Sequence, residues 1–190
     1  MKKKINLSFI KNYKIDIVEL LEQLQDNKIN DLKNRIINTK RKKGKVYIFG
    51  NGGSASTANH VAVDLTKNAK IKSISVSNDN LISCFSNDYS FDDWMAKYAN
   101  YFVEKNDFII LLSASGNSKN ILNLAKYCKK KLIPFFSLTG LKKNNRLNNI
   151  SKNKIWIKSN SYNQIELIHF TILAIVIDLI IGKKSYGTNL

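Results

Sequence analysis

The chain has 190 residues, 44% of them hydrophobic, with two cysteines and 31 basic residues against 14 acidic ones, a formal net charge of +17. That length and composition exclude a low-complexity segment or a disulfide-stapled scaffold, and predict one folded domain over 1–190 with a core of its own. Only Arg35, Arg41 and Arg146 are arginines; base readout leans on the arginine fork, so the lysine excess disfavours nucleic acid as the main partner and fits an anionic small substrate.

The opening MKKKINLSFIKNYK is basic but lacks the continuous apolar core of a secretory signal, so no export is expected. Cys84 and Cys128 form no C-x-x-C pair, which fits a reducing cytoplasm. The first 42 residues lack glycine and proline. Ile15, Val18, Leu21 and Leu24, then Leu32, Ile36 and Ile37, recur at helical spacing, predicting helices over about 7–27 and 29–42 with Gly44 as the stop. From residue 44 onward short apolar runs alternate with helical segments. Strands are predicted at Val46–Phe49, Ile71–Val76, Phe108–Leu112, Pro134–Leu138 and Lys154–Ile157, and helices at 54–68, 91–103, 118–130 and 162–181. Continuous apolar strands alternating with helices imply an α/β fold with a parallel sheet covered on both faces. Residues 165–181, IELIHFTILAIVIDLII, are nearly all apolar, but Glu166, His169 and Asp178 interrupt them. They read as a buried helix of that fold, and no membrane span is expected.

In such a sheet, ligands collect beyond the C-terminal ends of the strands. Two strands end in loops suited to that. After Phe49 comes Asn51-Gly52-Gly53-Ser54: the glycines permit close backbone approach, and Ser54 is expected to cap the next helix, whose free N–H groups favour an anion. After Leu112 comes Ser113-Ala114-Ser115-Gly116-Asn117-Ser118, whose hydroxyls and following helix start make a phosphate cradle. A capped turn without ligand is the plainer account of either loop alone. Two such loops on neighbouring strand ends favour a phosphorylated compound. Neither matches a nucleotide P-loop or a G-x-G-x-x-G fingerprint.

Titratable groups accompany the loops. His60 and Asp64 lie four apart, Glu166 and His169 three apart, and these are the chain's two histidines. Each pair shares one helical face. Together they could hold a divalent metal or move protons; singly, each pair is also explained by a surface hydrogen bond.

These segments resemble the SIS (sugar isomerase) domain and, within it, the phosphoheptose isomerases. GNGGSASTANHVAVDL is similar to that family's Gly-Asn-Gly-Gly-Ser…His-x-x-x-Glu segment, SNDYSF at 86–91 to its Asn-Asp-aromatic loop, SASGNSKNI to its phosphate loop, and SLTG at 137–140 to its strand-end Leu-Thr-Gly. The resemblance implies a three-layer αβα sandwich with a five-stranded parallel sheet of flavodoxin-like type, in which 1–43 serve oligomerisation and 44–190 form the sugar-phosphate-binding core. It implies a homotetramer with active sites between subunits, and conversion of a ketose phosphate to an aldose phosphate that feeds heptose synthesis for surface polysaccharide. Phosphate contacts carry over onto Ser113, Ser115 and Ser118, with Asn117 in the same loop, and substrate contacts onto Asn51, Gly52, Gly53, Ser54 and Asp88. The family's Zn²⁺ site implies His60, Asp64 and Glu166 as metal ligands. Its second last-helix histidine position falls on Ala174. The catalytic expectation is Glu166 as base, His169 as acid partner, and Asp64 with His60 as ligands or orienters. The rival expectation is a non-catalytic SIS module that binds a sugar phosphate or a partner protein.

Overall fold

The computed structural model describes residues 7–184. Thirteen elements follow one another: α1 (Leu7–Glu22), α2 (Asp26–Arg41), β1 (Val46–Phe49), α3 (Gly53–Lys67), β2 (Ser73–Ser75), α4 (Asp79–Asp88), α5 (Trp94–Phe102), β3 (Phe108–Ser113), α6 (Lys119–Lys131), β4 (Phe135–Thr139), α7 (Arg146–Ile150), β5 (Lys154–Trp156) and α8 (Tyr162–Ile181). The five strands are all parallel, in the order β2-β1-β3-β4-β5. The expected three-layer α/β architecture is therefore present, in the doubly wound order 2-1-3-4-5.

Alternation along the strands divides the core in two. Val46 and Ile48 of β1, with Phe108, Ile110 and Leu112 of β3, face α2, α3 and α8. Tyr47 and Phe49, with Ile109 and Leu111, face the opposite way onto α5 and α6. Period-two side-chain direction in a doubly covered strand produces this split. The apolar run of α8 is accounted for by the first layer: Ile165, Ile168, Ile172, Leu173, Val176 and Ile177 are all buried there. By length and composition alone α8 could cross a bilayer, yet its inner face packs on α2, α3 and β4.

Several boundaries differ from expectation. α1 stops at Glu22 rather than near 27, and α2 begins at Asp26 after the short turn 23–25; no glycine or proline announces that break. The second strand shrinks to Ser73–Ser75, and α5 starts at Trp94 rather than 91. Two helices were not foreseen. In α4, Asn78 caps the start by accepting from the Leu81 amide at 3.2 Å, but no residue of the helix is buried. In α7, five residues are capped by Asn145, whose side chain accepts from the Asn148 amide at 2.9 Å.

Strand order reverses at β1. The chain leaves β1 through α3 on one face to reach β2, then crosses by α4 and α5 on the other face to reach β3. Right-handed crossovers in opposite directions force helices onto opposite faces, so the loops after β1 and β3 diverge and leave a crevice between them. That is where doubly wound sheets bind ligands.

Candidate active site

The loop after β1 turns through Gly52, at φ 52°, into α3. Gly53 opens the helix with the Glu166 carboxylate close against it: a Cβ there would overlap that carboxylate and displace it from the α3 start. The Ser54 hydroxyl donates to Glu166 Oε1 at 3.2 Å, across 112 residues of sequence. Ser54 is thus not the helix cap; the cap position is Gly52, without a side-chain bond. The hydroxyl expected to satisfy its own helix instead binds the carboxylate of α8. A carboxylate at the positive end of a helix is electrostatically favoured.

The loop after β3 is folded by its own serines. Ser113 Oγ accepts from the Gly116 amide at 3.1 Å, and Ser115 Oγ from the Asn117 amide at 3.2 Å. Each oxygen is thereby used as an acceptor while its O–H stays free to donate. Ser118 occupies the cap position of α6 without a side-chain cap bond. Gly116 takes φ 62°, and a Cβ there would overlap the Asn145 amide behind it. Asn51 and Asn120 exchange amide hydrogen bonds, both 3.0 Å, and so lock the two loops together.

These loops and α8 enclose a small cleft of about 140 Å³. Asn51, Ser54, Ser113, Ser115, Ser118 and Glu166 line it. Gly52, Gly53 and Asn117 shape the turns without lining it. Tyr162 lines it too, four residues before Glu166 on α8 and 56% exposed. Sequence reasoning missed Tyr162, Asn120 and Asn145; only the i, i+4 spacing of Tyr162 from Glu166 offered a signal.

The remaining expected residues lie elsewhere. His60 Nε2 pairs with Asp64 Oδ2 at 3.2 Å, and the imidazole meets the Phe170 ring edge-on at 4.8 Å, one or more turns down α3 from the cleft. Asp88 ends α4, exposed, where it accepts from the Asn87 amide, and does not line the cleft. His169 is 1% exposed beneath it. Its Nε2 meets the Thr139 carbonyl at 3.3 Å, so Nε2 carries the proton, and its buried Nδ1 has no partner among the described residues. Burial pushes its pKa down to about 4, the Thr139 bond offsetting part of the effect. A buried ring that stays neutral through the physiological range is not a ready acid.

The same geometry bears on a metal. Among the described residues no three His, Cys, Asp or Glu side chains come together. His60 and Asp64 are engaged with each other, and Glu166 with Ser54. Zinc requires three or four protein ligands, so these residues do not fit it within one chain.

Comparison with known proteins agrees with the fold. A family model for the SIS domain matches residues 11–140. A phosphoheptose isomerase of Helicobacter pylori strain Shi470 is 31% identical over 166 residues, covering 84% of this chain and 85% of that protein. Phosphoheptose isomerase 2 of Campylobacter jejuni subsp. jejuni is 33% identical over 144 residues, covering 70% and 72%. Among solved structures, a phosphoheptose isomerase from Francisella tularensis superposes with a TM-score of 0.85 at 22% identity, covering 95% of this chain and all of that one. On a serine cradle at the sheet's switch point and these alignments, the chain belongs to the SIS-domain family, in its phosphoheptose isomerase group.

Proposed function

We propose that this chain is an aldose–ketose isomerase acting on a sugar phosphate of the sedoheptulose 7-phosphate type. The observation that carries the reading is the Glu166 carboxylate in the same cleft as the serine loop. The free hydroxyls of Ser113, Ser115 and Ser118, with the first N–H groups of α6, take the phosphate; hydroxyls and helix-start amides bind anions without a fixed cation. The sugar then extends toward α3. Glu166 removes the proton from the carbon beside the carbonyl, and the electrons move onto the carbonyl oxygen, which takes a proton to give an enediol. The carbon-bound proton returns to the former carbonyl carbon as the other hydroxyl gives up its proton and becomes the new carbonyl. The Ser54 O–H keeps one carboxylate oxygen oriented. Tyr162, the other titratable side chain of the cleft, takes the donor role that buried His169 cannot fill.

Assembly as a homotetramer in the cytoplasm, serving heptose supply for surface polysaccharide, is part of the same proposal. What supports the assembly is exposed apolar surface, Leu7, Phe9, Ile10 and Val18 on α1 and Leu167 and Leu179 on α8, which light scattering would test. Isomerisation is tested by turnover of sedoheptulose 7-phosphate with the wild type and Glu166→Gln. A loss of kcat of about 10²–10⁴ is expected for removal of a general base; an unchanged rate removes Glu166 from the mechanism. A second reading, a module that binds the sugar phosphate without converting it, is favoured by Ala174, which puts a methyl group where the family resemblance has a histidine. Binding without exchange of the sugar's C1 or C2 hydrogens in D₂O would select it.

A further inference from the structure

β5 is an edge strand, and the turn between α1 and α2 stands off from it. The gap is a groove of about 430 Å³, roughly three times the serine cleft at about 140 Å³ and within the size range of small-molecule sites. The two share no lining residue. The floor of the groove is apolar, formed by Leu20, Leu24, Ile155 and Ile157. Trp156 stands in its wall, held by donation from its indole nitrogen to the Leu141 carbonyl at 3.2 Å.

Four lysines, Lys28, Lys143, Lys154 and Lys158, converge on this groove from three separate segments, and no carboxylate lines it. Lys154 donates to the Asn148 carbonyl. Lys143 lies over the Trp156 ring, 5.8 Å from its centre. Lys28, Lys143 and Lys158 make no ion pair among the described residues. Asp16 and Glu19 line only a smaller neighbouring hollow, which shares Leu20, Gln23 and Lys158 with the groove. Like charges gathered around a partly enclosed hollow repel one another, and an anion seated between them relieves that repulsion. Lysine is a compact point charge well suited to phosphate, and the apolar floor with the tryptophan suits a flat organic body.

We propose that the groove between the α1–α2 turn and the free edge of β5 is a second anion site that takes a diphosphate carried on a flat body, the chemistry of a nucleoside diphosphate. It stands independently of the isomerase reading. The test is isothermal titration of the full-length chain with ADP, UDP and inorganic pyrophosphate. At least one nucleotide should bind saturably and more tightly than pyrophosphate. The Lys143→Gln/Lys158→Gln pair should weaken that binding about tenfold or more, since two cationic donors to the diphosphate are lost. Ser115→Ala, in the other cleft, should leave it unchanged. So should Lys129→Gln/Lys130→Gln, which removes the same charge from exposed positions on α6. Absence of nucleotide binding would overturn the proposal, as would pyrophosphate binding as tightly as the nucleotides. Equal weakening by the α6 pair would reduce it to diffuse charge, and loss with Ser115→Ala would assign the binding to the serine cleft.

Discussion

Lowering the pH below neutrality should destabilise this fold through His169, one helical turn below Glu166 on α8. The ring is buried and its folded-state pKa stands near 4, against about 6.5 for an exposed imidazole. Above about pH 6.5 both states hold it neutral and its contribution is fully present. As the pH falls toward 4 the unfolded chain binds a proton that the folded chain refuses, so stability is lost through that window, and the loss levels off once the folded ring also titrates. The gap between the two values corresponds to about 3 kcal/mol. Urea unfolding of the wild type and His169→Leu at pH 7, 6, 5 and 4 measures it, because every other titrating group is common to both chains. The variant gives up the Thr139 bond, a cost of about 1 kcal/mol at pH 7. Between pH 7 and 4 the difference should move by about 3 kcal/mol in the variant's favour. Parallel curves would mean the ring titrates with solvent access, and the argument that it is unfit to act as acid would fail with them.

Gly53→Ala should lower kcat about a hundredfold with KM little changed, because the added methyl overlaps the Glu166 carboxylate and misplacement by about 1 Å can cost that much; steady-state kinetics on the sugar phosphate checks it. Ser115→Ala removes one hydroxyl donor from the serine loop proposed to hold the phosphate and should raise KM about tenfold while kcat holds, the mark of binding shared by ground and transition states. Asn120→Ala leaves the Asn51 side chain without its partner and should cost about 1–3 kcal/mol in urea unfolding.

The legible parts of this molecule were those set by local pattern. Strand–helix alternation after residue 44 identified all five strands, because fully buried strands such as Phe108–Ser113 read as unbroken apolar runs. α4 was not legible because its apolar residues Leu81, Ile82 and Phe85 pack only part-buried on the second core layer, and in a ten-residue helix so short a stripe does not stand out from the polar residues around it. α7 is five residues long, too short for periodicity to register. In the site, serine and glycine loops stood out by composition. The Asn51–Asn120 pair did not, since its partners are 69 residues apart and an asparagine at a helix start already has a local explanation. His169 shows the reverse case. Spacing tied it to Glu166, but the burial that removes it from the cleft depends on how deeply α8 sinks into the first core layer, which spacing does not reveal.

That depth also explains how one helix serves two purposes. Below its first turn α8 is a packing element, with Ile168, Ile172 and Val176 fully buried, and its apolar character belongs to the core. Only its N-terminal turns reach the level of the strand ends. There the same helix presents Tyr162 and Glu166 at i, i+4 spacing to the cleft. The Ser54–Glu166 bond and the close approach at Gly53 join this end to α3, and the Thr139–His169 bond joins the next turn to β4. The carboxylate is therefore held by two helices and the sheet at once. A carboxylate so fixed would need little reorganisation in its proposed role as base, which is the condition under which proton abstraction beside a carbonyl gains most from positioning.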